Sequence, residues 1–293
     1  MNTPVISCNI VGGLGNQLFQ IMTTISYAIR NKCVFIFPYN THAMNRYTYW
    51  DSFLSNLKKF TTNNIQCKYK NIDLQYFQNY NEPVFHYSSI PFFGKSFYLN
   101  GYFQSYKYFD TEKTSIFKMI HLEQNQELVK SEFSHYFADS SSDSKEVLVS
   151  MHFRLGDYKQ LPNYHPVLPI EYYRKSLEYI LLKIPTTKIK VLYCCEAEDN
   201  EIVLKNISYL TEYFSSNNLE FVKVSDDICD WKQMIIMSLC HHHIIANSTF
   251  SWWSAYFNLY GDKIVCYPSV WFGISIQNKI VTDMYPSSWT CIH

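Results

Sequence analysis

Val5-Ile6-Ser7-Cys8-Asn9-Ile10-Val11 is an apolar run that leads directly into Gly12-Gly13-Leu14-Gly15-Asn16-Gln17. The run is short enough to be a strand, and the glycines after it indicate a tight turn. A helix is predicted next, because apolar residues recur on one face: Leu18, Ile21, Met22, Ile25 and Ile29. A second strand, Val34-Phe35-Ile36-Phe37, ends at Pro38. A strand, a glycine turn, a helix and a strand form the β-α-β unit of a Rossmann-like domain, so the fold class is α/β.

The second half of the chain repeats this alternation. Strands are predicted at 147–153, 188–195, 220–224, 243–246 and 263–267, the last closing the sheet, and helices at 169–182, 200–210, 231–240 and 250–260. Residues 111–137 are predicted to be helical, 138–145 to be a Ser-rich linker, and 41–109 follow no clear pattern. We therefore predict two Rossmann-like lobes, 1–140 and 141–293, that face each other across a cleft.

Composition excludes several classes of protein. The chain has 293 residues, of which 47% are hydrophobic and 17% charged, so it can bury a sizeable core and disorder is not expected. Its 25 basic and 25 acidic side chains give a formal net charge of zero. No segment carries the basic excess that a nucleic-acid-binding surface needs, and nucleic acid is therefore not an expected partner.

The cysteines and the termini bear on the compartment. The nine cysteines are odd in number, are scattered and form no C-x-x-C pair, which favours reduced thiols. The N-terminus does not have the form of a signal peptide, and no apolar stretch is long enough to span a membrane. We expect a cytoplasmic protein with no transmembrane segment; contact with a membrane at its periphery is left open.

The glycine turn at 12–17 is the first candidate binding element. It lacks the third glycine of the dinucleotide fingerprint, since that position is Leu18, and it has no Gly-Lys-Ser/Thr of a P-loop. Its backbone N–H groups could still approach a ligand at a helix N-terminus, which makes candidates of Gly13, Gly15, Asn16 and Gln17. The alternative is a purely structural strand-to-helix turn.

The second candidate is His152-Phe153-Arg154-Leu155-Gly156-Asp157-Tyr158, which follows the apolar run 147–151. Polar side chains at the carboxyl end of a buried strand lie where open α/β sheets bind ligands. The planar guanidinium of Arg154 matches phosphate oxygens and keeps its charge. The alternative is a surface loop with an ordinary ion pair between Arg154 and Asp157.

The third candidate has the same form, a short strand followed by Asn247-Ser248-Thr249-Phe250 at the start of a helix. These residues can cap the helix and leave N–H groups and hydroxyls directed at an anion. Capping alone is the alternative, and it needs only one such residue. Trp252 and Trp253 are predicted to be packing residues rather than sugar platforms.

A metal site is not predicted. His241-His242-His243 follows Cys240, but adjacent residues at a helix-to-strand junction point in different directions, and no second ligand pair has metal spacing. The chain has no D-x-D, which a transferase would need to hold a nucleotide sugar through a divalent cation.

Together these segments resemble the α-1,2-fucosyltransferase family, inverting GT-B enzymes that use GDP-fucose. The resemblance rests on Gly12–Phe19, His152–Tyr158 and Ile244–Tyr256, with Pro169–Arg174 and Tyr267–Phe272 in the expected order. It implies a GDP-fucose substrate, a galactose-terminated glycan acceptor and no cofactor, with the acceptor on the N-terminal lobe and the donor on the C-terminal lobe. Arg154 would hold the diphosphate, with His152 and Asp157 in the same pocket and as the candidate general bases.

One position departs from the family. The family usually has two adjacent arginines, and the second is Leu155 here. Lys159, or backbone donors near Ser248 and Thr249, could replace the missing charge. The rival functions are another GDP-sugar transferase, a carbohydrate-binding relative with weak or no catalysis, and a nucleotide-dependent oxidoreductase, against which the broken dinucleotide fingerprint argues.

Overall fold

The computed structural model describes residues 3–43, 46–62, 64–137, 146–184 and 188–293. They form two compact units: the first runs to Asn125 and includes Lys279–Pro286, and the second comprises Gln126–Asn278 and Ser287–His293. The predicted linker at 138–145 lies outside the described residues. Each unit contains a parallel sheet with helices, which confirms the predicted α/β class and the two Rossmann-like lobes.

The first unit is built on a four-stranded parallel sheet of order β2-β1-β6-β5, with a separate two-stranded antiparallel pair, β3-β4. Its strands are β1 Val5–Cys8, β2 Val34–Phe35, β3 His42–Ala43, β4 Arg46–Tyr47, β5 Gln78–Asn81 and β6 Phe97–Asn100. Its helices are α1 Leu14–Arg30 and α2 Lys113–Met119, and α3 Leu122–Glu132 continues into the second unit. The predicted helix at 111–137 is thus two helices, separated at His121, which has a φ of 53°.

The second unit has a six-stranded sheet of order β12-β11-β10-β7-β8-β9, and all of its strands are parallel. The strands are β7 Glu146–His152, β8 Lys188–Cys194, β9 Leu219–Lys223, β10 His242–Ile244, β11 Val265–Pro268 and β12 Thr290–Ile292. The helices are α4 Ile170–Lys183, α5 Asn200–Tyr213, α6 Asp230–Ser238 and α7 Thr249–Phe257. The expectation that 263–267 closes the sheet is wrong, because β12 pairs along the outer edge of β11.

The order of this sheet creates a switch point. In chain order, β8 and β9 are added on one side of β7. The chain then crosses to the other side of β7, where β10, β11 and β12 follow one after another. The connections therefore diverge between β7 and β10, which leaves a crevice at the carboxyl ends of these two strands. Ligands of open α/β sheets bind at such a position.

The core of the second unit fixes both sides of this crevice. On β7, Val149 and Met151 are fully buried and belong to one hydrophobic cluster with residues of α4 and α5. On α7, Trp252 and Trp253 are fully buried, and the Trp252 ring stacks on Tyr256 with centroids 4.7 Å apart. The prediction that both tryptophans are packing residues is confirmed, and their burial holds α7 against the rest of the unit.

Two further sequence expectations can be compared with the described residues. No helix among them is long and apolar enough to cross a membrane. All nine cysteines are free thiols, as expected from their scattered spacing.

Candidate functional site

His152 is the last residue of β7 and lies at the switch point. Its side chain is only 7% exposed, and its ring packs against Phe250 of α7 with centroids 5.4 Å apart. Within the described part of the chain, its Nδ1 is buried and has no hydrogen-bond partner. Burial, and then the nearby charge of Arg154, lower the pKa of His152 to about 3. The ring is therefore neutral at neutral pH, and its Nδ1 is free to bind a ligand.

Arg154 follows two residues later and is held by two carboxylates. Its guanidinium forms ion pairs with Asp157 and with Glu196, which follows β8. Its carbon Cζ lies 4.9 Å from the centroid of the Tyr158 ring, a cation–π contact. The ion pair of Arg154 with Asp157, which the sequence left open, is thus present. The Arg154 side chain is 17% exposed.

Leu155 lies in the core. It is 4% exposed and belongs to the same hydrophobic cluster as Phe153 and Tyr173. The position at which the resemblance implies a second arginine therefore serves packing in this chain. Lys159 pairs with a carboxylate as well: its Nζ lies 2.6 Å from Oδ1 of the buried Asp199. That Lys159 replaces the missing arginine stays a prediction, and the buried carboxylate competes for its charge.

The start of α7 forms the other side of the crevice. Ser248 is the N-cap: its hydroxyl accepts a hydrogen bond of 3.3 Å from the backbone N–H of Phe250. Asn247 donates through Nδ2 to the carbonyl of Pro166, at 2.9 Å, while its buried Oδ1 has no partner among the described residues. The Tyr158 hydroxyl donates to the carbonyl of Asn247, at 3.2 Å. This bond joins the loops that follow β7 and β10.

The structure thus brings His152, Arg154 and Asp157 together with Asn247, Ser248, Thr249 and Phe250. The other four predicted residues, Gly13, Gly15, Asn16 and Gln17, belong to the first unit.

The glycine turn is held by the side chains that follow it. Gln17 is buried and donates from Nε2 to the carbonyls of Gly12 (2.9 Å) and Tyr47 (2.8 Å). Asn16 accepts a hydrogen bond of 2.8 Å from Gln104. Gly12 has a φ of +83°, and a Cβ there would come within 2.6 Å of the Asn16 amide. These contacts give the turn a structural role; its role in donor binding stays a prediction.

Sequence reasoning missed a row of three amides in the first unit. Asn9 donates to Asn100 (3.2 Å) and Asn100 donates to Asn81 (2.8 Å) across the carboxyl ends of β1, β6 and β5. The first sheet also has its switch point here, between β1 and β6, because the chain builds β2 on one side of β1 and β6 on the other. Only Asn9 could have been found from the sequence, since β5 and β6 lie in the irregular segment.

Glu196, Glu198 and Asp199 were also missed, although they directly follow a predicted strand. Their carboxylates lie close enough together to hold a metal ion. Arg154 and Lys159 already pair with Glu196 and Asp199, however, so the acidic charge is met by cations of the chain. The three consecutive histidines also have hydrogen-bond partners within the chain. His241 and His242 each accept a hydrogen bond through Nδ1, from the backbone N–H groups of Leu148 and Ile264 respectively. His243 bonds to Ser150 through Nδ1 and to Asn258 through Nε2.

The model of glycosyl transferase family 11 matches residues 4–293. This chain belongs to glycosyltransferase family 11. The match covers nearly the whole sequence, including both units, and confirms the family resemblance that the three motifs indicate.

Two Escherichia coli proteins are similar to parts of this family 11 chain. It is 33% identical over 141 residues to the O-antigen biosynthesis glycosyltransferase WbnK, and 31% identical over 148 residues to an α-1,2-colitosyltransferase. The matches cover 46% and 49% of this chain and only 43% and 47% of those relatives. Among solved structures, the α-1,6-fucosyltransferase NodZ co-crystallised with GDP has a TM-score of 0.50 at 10% identity, covering 87% of this chain and 92% of NodZ. A likeness at this identity concerns the fold alone.

Proposed function

We propose that this chain transfers L-fucose from GDP-β-L-fucose to the 2-hydroxyl of a terminal galactose, with inversion to an α-1,2 linkage. Membership of family 11 supports sugar transfer from a GDP-activated donor. The relative named as an α-1,2-colitosyltransferase supports the α-1,2 linkage.

The observation that carries the proposal is the position of Arg154 and the first turn of α7, on the two sides of one switch point. Transfer breaks the bond between the fucose anomeric carbon and the diphosphate, and negative charge grows on the departing oxygen. A guanidinium and the N–H groups of a helix N-terminus stabilise that charge more in the transition state than in the ground state. In the proposed complex, Arg154 would exchange its carboxylate contacts for the diphosphate.

The acceptor hydroxyl must lose a proton during transfer. Of the two candidate bases, Asp157 is the better suited, because its side chain is 55% exposed and a hydroxyl can approach it. His152 is buried, and its pKa near 3 makes the protonated ring unfavourable. We assign His152 instead to donor binding through Nδ1.

We place the acceptor on the first unit, at the row Asn9, Asn100 and Asn81. Side-chain amides both donate and accept hydrogen bonds, which suits the hydroxyls of a sugar. Asn81 is exposed and the other two are half-buried, so a ligand can reach the row. Replacing Asn100 with Leu should raise the KM for the acceptor without changing the KM for the donor.

We also propose that transfer requires no metal ion. The charge of the leaving group can be met by Arg154 and the N-terminus of α7, and Asp199, the buried carboxylate of the acidic cluster, stays paired with Lys159 in the complex. Transfer measured with and without EDTA should proceed at the same rate; loss of activity in EDTA that Mg²⁺ or Mn²⁺ restores would contradict this.

One alternative donor is favoured by a specific observation, the similarity to an α-1,2-colitosyltransferase. A panel of GDP-fucose and GDP-colitose against β-galactosides, with product linkage determined by NMR, separates the candidates. The proposal expects fucosylated product with an α-1,2 linkage. Transfer from GDP-colitose alone would identify the alternative donor, and binding without turnover of either sugar would indicate a carbohydrate-binding relative.

A further inference from the structure

The loop after β8 is hydrogen-bonded, through Asp199, to the loop that carries Arg154. Asp199 is fully buried and uses both carboxylate oxygens: Oδ2 accepts a 2.7 Å hydrogen bond from the backbone N–H of Gly156, and Oδ1 lies 2.6 Å from Nζ of Lys159. A buried carboxylate is strongly unfavourable unless it is paired and hydrogen-bonded. Lys159 supplies the opposite charge, so the two residues depend on each other.

The hydrogen bond from Asp199 holds the backbone at Gly156, which has an unusual conformation. This glycine has a φ of +40°, in the region that favours glycine, and a Cβ there would come within 2.8 Å of the Glu196 carboxylate. On its N-terminal side, Leu155 is anchored in the hydrophobic core. The backbone between Arg154 and Asp157 is therefore fixed at two adjacent points, the core and Asp199.

We infer that Asp199 and Lys159 are positioning residues that direct Arg154 toward the diphosphate by fixing the backbone at Gly156. Neither residue needs to touch the substrate. The inference rests on the proposed function, in which Arg154 holds the diphosphate of the donor. In this role the charge of Lys159 balances the charge of Asp199 and does not replace the arginine absent at position 155.

The test compares two ligands that differ only in their phosphates. Dissociation constants for GDP and for guanosine are measured by competition against a fluorescent GDP analogue, with the wild-type protein, Asp199→Asn, Lys159→Gln and Lys159→Arg. Asp199→Asn replaces the carboxylate that holds the Gly156 N–H with a neutral and weaker acceptor, and it removes the partner charge of Lys159. The matched control is Lys205→Gln, because Lys205 also pairs with a carboxylate, Glu201 at 2.8 Å, but on the exposed surface of α5.

Asp199→Asn and Lys159→Gln are expected to lose about tenfold in GDP affinity, the size of one lost charge-assisted contact, with guanosine affinity unchanged. Lys159→Arg and Lys205→Gln are expected to keep the wild-type ratio of the two affinities. An unchanged ratio in Asp199→Asn, or an equal loss for both ligands, would overturn the positioning role. If Asp199→Asn does not fold, Lys159→Gln, a change at an exposed position, decides by the same ratio.

Arg154→Ala distinguishes the proposed diphosphate contact from the positioning role of Asp199 and Lys159. If it keeps the wild-type ratio, the proposed diphosphate contact is wrong and the positioning role is lost with it. If Arg154→Ala loses GDP affinity while Asp199→Asn and Lys159→Gln do not, only the positioning role is overturned.

Discussion

Three buried histidines make the second unit sensitive to acid. Burial is the main cause that lowers the pKa of His152 to about 3 and that of His242 to about 4, and it lowers the pKa of His243 well below 6.5. In the unfolded chain each ring titrates near 6.5. The unfolded state therefore binds more protons below pH 6.5, so the stabilisation is present above pH 6.5 and is lost as pH falls toward the folded pKa values.

The magnitude follows from this linkage. Between pH 7.5 and pH 5.5, each histidine that stays neutral when folded removes about 1.4 kcal/mol, so the three together lower the free energy of unfolding by about 4 kcal/mol. Urea unfolding followed by tryptophan fluorescence measures this in the second unit, because Trp50 is the only one of the six tryptophans in the first unit. His242→Gln should reduce the pH effect by about a third.

The matched control is His135→Gln, which replaces an exposed histidine of the same unit. It should leave the difference between pH 7.5 and pH 5.5 at its wild-type size. A wild-type difference below about 1 kcal/mol, or an unchanged difference in His242→Gln, would refute the reasoning, since either result means that the rings protonate in the folded state.

Three further substitutions test single contacts of the site by urea unfolding and GDP binding. Gly156→Ala should cost between about 1 and 3 kcal/mol and weaken GDP binding, because a φ of +40° strains an L residue and the added Cβ displaces the Glu196 carboxylate that pairs with Arg154; wild-type stability would show that the loop relaxes freely. Ser248→Ala removes the N-cap of α7 and should cost about 1 kcal/mol, with no change expected in the control Ser208→Ala on the exposed face of α5. Leu155→Arg buries a charge in the core and should cost at least about 3 kcal/mol; tighter GDP binding in this variant would contradict the packing role of Leu155.

Four strands of the second unit, β7, β8, β10 and β11, could be predicted because most of their residues are buried. Residues 148–152 of β7 are all buried, so the strand stands out in the sequence as an apolar run. By contrast, β5 is the polar edge strand Gln78–Asn81, mostly exposed, and it carries no apolar signal. The strand β12 was missed because, unlike the equally short but fully buried β10, only its last residue is buried.

The candidate site was predictable where it depends on chain order and not where it depends on neighbours in space. Arg154 and Ser248 each follow a strand, so their place at a sheet edge could be expected. The pairing of Lys159 with Asp199 depends on β7 and β8 being adjacent, and the burial of Leu155 depends on how the chain turns after β7. Neither contact has a signal in local sequence.

Calorimetric titration of GDP in the presence of EDTA tests the central claim, that Arg154 at the switch point of the second unit holds the diphosphate. The proteins are the wild type, Arg154→Ala and, as a control, Arg174→Ala, whose guanidinium pairs with Glu178 on α4. Arg154→Ala should bind GDP at least about tenfold more weakly than the wild type, and Arg174→Ala should bind it equally well. Binding of GDP to Arg154→Ala with wild-type affinity would contradict the claim.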